Sequence, residues 1–201
     1  MTKNLQFITF CVMNINESKN LWFVSDTHFN HAKLVKSCPE RFERHRIYET
    51  TEEMNADIVE KWNKYIGKDD TVIFVGDYGL NIPASQVVEH FTNMMNKLNG
   101  NKIFICGNHD KLIRKKTEGI VQWHNQIRFT YKGKNYCVQH YDFAERPTDI
   151  SDVDVLVHGH THSDNTISKV DTVDGSKVQN CVCWEAWYRP VNYMELQNKE
   201  N

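Results

Sequence analysis

At 201 residues, 40% of them hydrophobic, the chain is long enough to bury one substantial core and short for two, so a single domain over 1–201 is expected, with its core at about 21–190. A net charge of −2 gives no bulk electrostatic case for nucleic acid and leaves only a local basic strip to carry one. No window approaches the ~20 apolar residues of a membrane span, and the six cysteines include no Cys-x-x-Cys pair, so a reduced, cytoplasmic protein without a membrane partner is expected.

Asn4 to Met13 reads as a first strand; Gln6 and Thr9 interrupt it and no small-residue cleavage site follows, so no signal peptide is expected. A polar turn leads to the strand from Leu21, which ends in Asp26 and His28. His31 to Ser37 fits a short helix that Pro39 stops. The loop from Pro39 to Arg46, with Arg41, Arg44, His45 and Arg46, is either a solvated surface or a phosphate-facing lip. Thr50 and Glu53 fit a capping box, and Met54, Ile58, Trp62 and Ile66 recur at helical spacing up to Gly67, which can cap the end.

The apolar run from Thr71 ends in Gly76-Asp77. A second helix follows Pro83, with Val87, Phe91, Met94 and Leu98 on one face and Asn99-Gly100 as its stop. The run from Lys102 ends in Asn108, His109 and Asp110, and a helix over Lys111 to Lys116 would take Asp110 as its N-cap. This alternation argues for parallel pairing in a layered α/β fold. From Gln126 the pattern changes to strands at Gln126–Tyr131, Lys134–Gln139, Asp154–His158, Thr166–Val173 and Lys177–Trp184, with turns at Lys132-Gly133 and Asp174-Gly175, so a second, partly antiparallel sheet is expected.

Five strand ends therefore carry carboxylate, imidazole or carboxamide, the fourth at His140 and the fifth at Gly159-His-Thr-His162. Loops beyond the carboxyl ends of strands are where α/β folds build sites, and an extended His160-x-His162 would aim both imidazoles the same way.

The ordered blocks Asp26-x-His28, Gly76-Asp77, Gly107-Asn-His-Asp110, His140 and Gly159-His-Thr-His162 resemble the calcineurin-like metallophosphoesterase superfamily. Asp26-Thr-His-Phe-Asn-His31, Met54-Asn55, Trp62-Asn63 and Leu98-Asn-Gly-Asn101 are similar to its small, uncapped bacterial and phage members. The resemblance implies a four-layer α-β-β-α sandwich of two mixed sheets and two divalent ions, with Mn ahead of Fe, Zn or Ni. It places Asp26, His28, Asp77 and His162 around one ion, and Asp77, Asn108, His140 and His160 around the other, with Asp77 bridging. Such a donor set, without thiolate, does not suit a structural zinc cage.

The resemblance also implies that His109 protonates or stabilises the leaving oxygen. Asp110 would hold its imidazole, cap the helix, or do both. His31 is either a substrate contact or a helix-start residue, Arg41 is the substrate-binding candidate in the basic loop, and His158 is either a core residue or supporting hydrogen-bond partner, or else a functional part of the site. Tyr141, Asp142, Trp184 and Arg189 are weaker substrate-side candidates. The expected activity is hydrolysis of a phosphate ester, foremost a nucleotide-type phosphodiester. The alternatives are a phosphomonoesterase or Ser/Thr protein phosphatase, and a scaffold that binds metal without chemistry. Oligomeric state is left open.

Overall fold

The computed structural model describes residues 15, 18–36, 48–173 and 175–197; the expected strand at 4–13, the loop 39–46 with Arg41, and Asp174 of the second turn lie outside the described residues. The first half runs β1 (Leu21–Val24), α1 (Ala32–Lys36), α2 (Thr51–Tyr65), β2 (Thr71–Phe74), α3 (Val87–Lys97), β3 (Asn101–Ile105), α4 (Lys111–Thr117) and β4 (Trp123–His124). As the alternation requires, β1 to β4 pair in parallel. The second half runs β5 (Gln126–Tyr131), β6 (Lys134–Gln139), β7 (Val155–His158), β8 (Ile167–Thr172), β9 (Gly175–Cys181), α5 (Trp184–Trp187) and β10 (Val191–Asn192). β10 returns antiparallel to the free edge of β1, so the first sheet has the order β10-β1-β2-β3-β4.

The second sheet has the order β5-β6-β7-β9-β8, with antiparallel hairpins β5/β6 and β8/β9 flanking parallel β7. Lys132 and Gly133 both take positive φ, 50° and 78°, the geometry a two-residue hairpin with native twist demands.

Side-chain alternation distributes the core. Val72 and Phe74 face α2 and α3 through Met54, Ile58, Trp62, Phe91 and Met94. Ile73 and Val75 face the other way with Phe23, Ile103 and Ile105, against Phe129, Tyr136, Val138, Val155 and Val157 of the second sheet. β2 is buried on both faces, which is why it reads as an unbroken apolar run. Two mixed sheets face to face with helices outside the first are thus present. Over the outer face of the second, among the described residues, Phe143, Ile150 and Val153 of the irregular segment 141–153 cover Cys137, Leu156 and Val170.

Two terminal details differ from expectation. Thr50 caps α2 by accepting from Glu53 N at 3.1 Å, but Gly67 does not end it: Ile66 is the C-cap in an extended conformation, held by its own burial, and Gly67 N donates to Asp70 Oδ2 at 2.9 Å. The strand expected to reach Trp184 stops at Cys181, and Trp184, its indole buried in the helix-side core, opens α5. The polar residues of α2 have structural roles. Asn55 Oδ1 accepts from Asn30 N at 3.1 Å, tying the helix to the loop after β1, and Asn63 Oδ1 accepts from Asn99 N at 2.8 Å beside the end of α3. No helix of the described residues is long and apolar enough to cross a membrane.

Candidate metal centre

Beyond their paired residues, β1 and β2 send their loops on side by side. Asp26 N donates to Gly76 O at 2.9 Å, His28 N to Asp77 O at 3.2 Å and Phe29 N to Tyr78 O at 2.8 Å, which brings the first two motif blocks together. Asp26, His28, Asp77, His160 and His162 all lie in the left-handed backbone region, at φ 57°, 47°, 56°, 69° and 48°. The expectation that an extended His160-x-His162 aims both rings the same way is therefore corrected. Positive φ at each residue, with Thr161 N bonded to Gly159 O at 2.8 Å, folds the segment into a turn that sends the rings to different places.

His162 joins Asp26 and His28. Its Nε2 lies 3.1 Å from His28 Nε2 and 3.4 Å from Asp26 Oδ1, and His28 Nε2 is 3.8 Å from the same oxygen. The other oxygen of Asp26 accepts from Ser25 Oγ, from His160 N at 3.0 Å and from Cys183 Sγ at 3.3 Å, so Oδ1 is the one turned to the imidazoles.

His160 joins Asn108, His140 and Asp77. Asn108 Oδ1 lies 2.9 Å from both His140 Nε2 and His160 Nδ1. His140 Nδ1 faces the Val75 carbonyl at 2.8 Å; a carbonyl only accepts, so this nitrogen carries a proton and Nε2 is directed at the cluster. Burial opposes protonation of His140, yet contact with Asp77 and the charges of Asp26 and Asp77 outweigh it and push the imidazole up to about 9.

Asp77 stands between the two groups. Its Oδ2 is 3.7 Å from His28 Nε2 on one side and 3.5 Å from His140 Nε2 on the other, while Oδ1 accepts from His109 N at 2.9 Å. Within each of the triads Asp26-His28-His162 and Asp77-His140-His160 the ligand atoms lie within 4.8 Å of one another. Donors bound at about 2.0–2.2 Å to one divalent ion stand about 3–4.3 Å apart, so this mixed oxygen and nitrogen set fits a metal ion in each. Glycines make the approach feasible: a Cβ on Gly107 would meet Asp77 Oδ1 at 2.1 Å, and one on Gly159 would meet Ser25 Oγ at 2.0 Å. At Gly159 space, rather than a positive φ, is what demands glycine.

His109 is 44% exposed, with Nε2 3.9 Å from Asp77 Oδ2. Both readings of Asp110 need correction. Its side chain makes no cap to α4, and its oxygens are taken by Asp77 N at 2.7 Å, Gly107 N at 2.8 Å and Tyr78 N at 2.9 Å. The carboxylate is the buried post around which the Asp77 and Gly107 turns are wrapped, which leaves His109 to point outward. Burial first, then the charge of Asp77, pushes Asp110 up to about 6 against the lowering pull of those three amides.

The His31 ring centroid lies 5.4 Å from that of His28, at the edge of the first triad. His158 is buried with Nδ1 on Gly159 O at 2.8 Å, and burial lowers its pKa. Trp184 is core, and Arg189 pairs with Glu195. The Tyr141 ring lies tilted, 4.6 Å between centroids, against His160 and carries the Arg146 guanidinium 3.6 Å above its own ring.

Two carboxylates at the centre escape sequence reasoning. Glu185 Oε1 lies 3.1 Å from His162 Nδ1, and Glu145 Oε2 lies 3.2 Å from His160 Nε2. The only signal in the chain for Glu185 is an acidic residue inside Trp184-Glu-Ala-Trp187.

Residues 20–181 match the description "Calcineurin-like phosphoesterase superfamily domain". An uncharacterized protein of Methanocaldococcus jannaschii is 36% identical over 93 residues, which is 46% of this chain and 48% of that protein, so the chain spans about half the length of that relative. The Gene 66 protein of Mycobacterium phage L5 is 28% identical over 212 residues, covering 90% of this chain and 94% of its own. In fold the chain is similar to a solved Aquifex aeolicus protein of unknown function, with a TM-score of 0.61 at 21% identity over 88% of this chain and 96% of that one. Motif order, the two ligand triads about Asp77 and a match over most of the chain lead to one conclusion: the protein belongs to the calcineurin-like phosphoesterase superfamily.

Proposed function

We propose that the chain is a dinuclear metal-dependent phosphodiesterase acting on a nucleotide-type phosphodiester. The observation that carries this reading is Asp77, whose Oδ2 faces His28 and His140 from between the two triads, so that one carboxylate serves both ions. Asp26, His28 and His162 would hold one ion, and Asn108, His140 and His160 the other; the family resemblance puts Mn first, and the mixed carboxylate and imidazole set also admits Fe, Zn or Ni. Bound there, two divalent ions would activate water and stabilise the charge that develops in displacement at phosphorus. His109, beside Asp77 and exposed, donates its Nε2 proton to the leaving oxygen. No side-chain nucleophile is needed.

The ligand carboxylates are at most 1% exposed, whereas His109 is 44%, His160 27% and His162 21% exposed, so the centre opens to solvent on the histidine side. An open rim favours a bulky diester. His31 and Arg146 on its Tyr141 platform are the substrate-side residues within the described chain, and Arg41 is the candidate from outside it. The free thiols of Cys106, Cys137, Cys181 and Cys183 suit a cytoplasmic setting.

The test is hydrolysis of bis-p-nitrophenyl phosphate beside p-nitrophenyl phosphate, after metal removal and restoration of Mn, Ni, Zn or Mg singly. Turnover of the diester is expected with Mn. Preference for the monoester would make the protein a phosphomonoesterase, and bound metal without turnover of either ester would point to the scaffold.

A further inference from the structure

Each histidine of the Gly-His-Thr-His turn has a glutamate oxygen beside the ring nitrogen that faces away from its triad, Glu185 beside His162 and Glu145 beside His160, and the two glutamates differ in setting. Glu185 is 1% exposed, whereas Glu145 is 49% exposed. Glu185 lies in α5, which is fixed at both ends: Trp184 N donates to Ser25 O at 3.0 Å beside the Asp26 loop, and Tyr188 N closes on Trp184 O at 2.6 Å. The full burial of Trp184 locks the turn further. Glu145 sits on the surface loop after β6, in a turn that Asp142 Oδ1 organises by accepting from Ala144 N and Glu145 N at 2.8 Å each.

A carboxylate beside one imidazole nitrogen fixes the tautomer, leaves the other nitrogen's lone pair for a ligand, and makes that nitrogen more basic. The effect is strong where water is excluded and weak where solvent screens it. His162 Nε2 points into the Asp26-His28 triad, where a bound cation would lie.

We propose that Glu185 is a positioning residue: it holds the His162 ring with Nε2 turned to the first triad, and so makes the ion of Asp26, His28 and His162 the more tightly held of the two. Glu145 gives His160 only a solvent-screened counterpart, and the ion of Asp77, Asn108, His140 and His160 exchanges more readily. This rests on the two-ion reading above.

The experiment is calorimetric titration of the metal-stripped full chain with Mn²⁺, with bound ions counted by elemental analysis. Wild type should bind two ions of unequal affinity. Glu185→Gln should weaken one of them roughly 10- to 100-fold, as loss of the carboxylate beside a ligand imidazole does, and leave the other unchanged; the weakened ion should be the one already lost in His162→Gln. Adding Glu185→Gln to His162→Gln should change metal affinity no further, a non-additivity that a purely structural role would not produce. Glu145→Ala should bind both ions as wild type does. Glu185→Asp, which keeps the charge with a shorter reach, should show the same selective weakening in smaller measure and serves if the glutamine variant does not fold. Two ions bound at wild-type affinity by both Glu185 variants, or equal weakening of both ions, would overturn the assignment. A wild type that binds no Mn²⁺ would remove the two-ion reading and this proposal with it.

Discussion

Replacing Gly159 by alanine tests how closely the two sheets meet at the metal centre. The added Cβ would stand 2.0 Å from Ser25 Oγ, 2.6 Å from Asp26 Oδ2 and 2.8 Å from Ser25 Cβ, where real contacts do not fall below 3.0 Å, so Ser25 Oγ must retreat by at least 3.0 − 2.0 = 1.0 Å. That movement breaks the Ser25 bond to Val75 O, 2.9 Å long, and the bond to Asp26 Oδ2, both in fully buried surroundings. Overpacking contributes about 1–3 kcal/mol and each lost buried hydrogen bond about 1 kcal/mol, so the variant should be destabilised by about 3–5 kcal/mol. For a domain of this size that lowers Tm by about 6–20 °C. Thermal unfolding of the metal-free protein measures it. The double variant Gly159→Ala with Ser25→Gly removes the struck side chain and should be less destabilised than the sum of the two single changes. An unchanged Tm in Gly159→Ala, or strict additivity in the pair, would refute the close-approach argument.

Asp77→Asn removes the charge shared by both triads, so titration of the metal-stripped variant should show both ions weakened; normal binding of two ions would remove Asp77 as the bridge. His109→Ala should keep both ions and lower turnover of the diester about 10²–10⁴-fold, and full activity in that variant would remove the proton-donor role. His140 gives a pH signature. Its folded pKa, about 9, lies above the ordinary 6.5, so its stabilising contribution in the metal-free protein is fully present below 6.5 and is lost as pH rises to 9. The shift corresponds to about 3 kcal/mol. Chemical denaturation with chelator at pH 6 and pH 9 should show wild type losing roughly that much more stability than His140→Gln, and equal losses would count against the buried Asp77-His140 contact.

The candidate ligand blocks were legible because each sits at the tip of a short apolar strand, and in three of the five, at Gly76, Gly107 and Gly159, a glycine marks the strand's end without long-range knowledge. Parallel pairing of β1 to β4 follows from the strand and helix alternation, and the β5/β6 hairpin from Lys132-Gly133. What sequence could not show depends on contacts across large separations. Glu185 meets His162 only because α5 docks on the loop after β1. Asp110 looked like a cap because it precedes a helix, but the amides of Asp77 and Tyr78, more than thirty positions away, claim its oxygens. β4 and β10, two residues each, are too short for a periodic signal and exist because an edge of the sheet is there to receive them.

The left-handed backbone at the ligands bears on what holds the sequence in place. Five of the nine non-glycine residues with positive φ among the described residues are ligand candidates, and three of those five, Asp26, His28 and Asp77, are buried. Each such conformation costs about 1–3 kcal/mol, which together is comparable to the whole stability of a typical domain, about 5–15 kcal/mol. Among the described residues, backbone strain is thus concentrated at the turns that carry the ligand candidates, above the two sheets. At part-exposed His162 a glycine would relieve the strained φ and remove a ligand at once, so backbone stability and metal binding pull in opposite directions at that position.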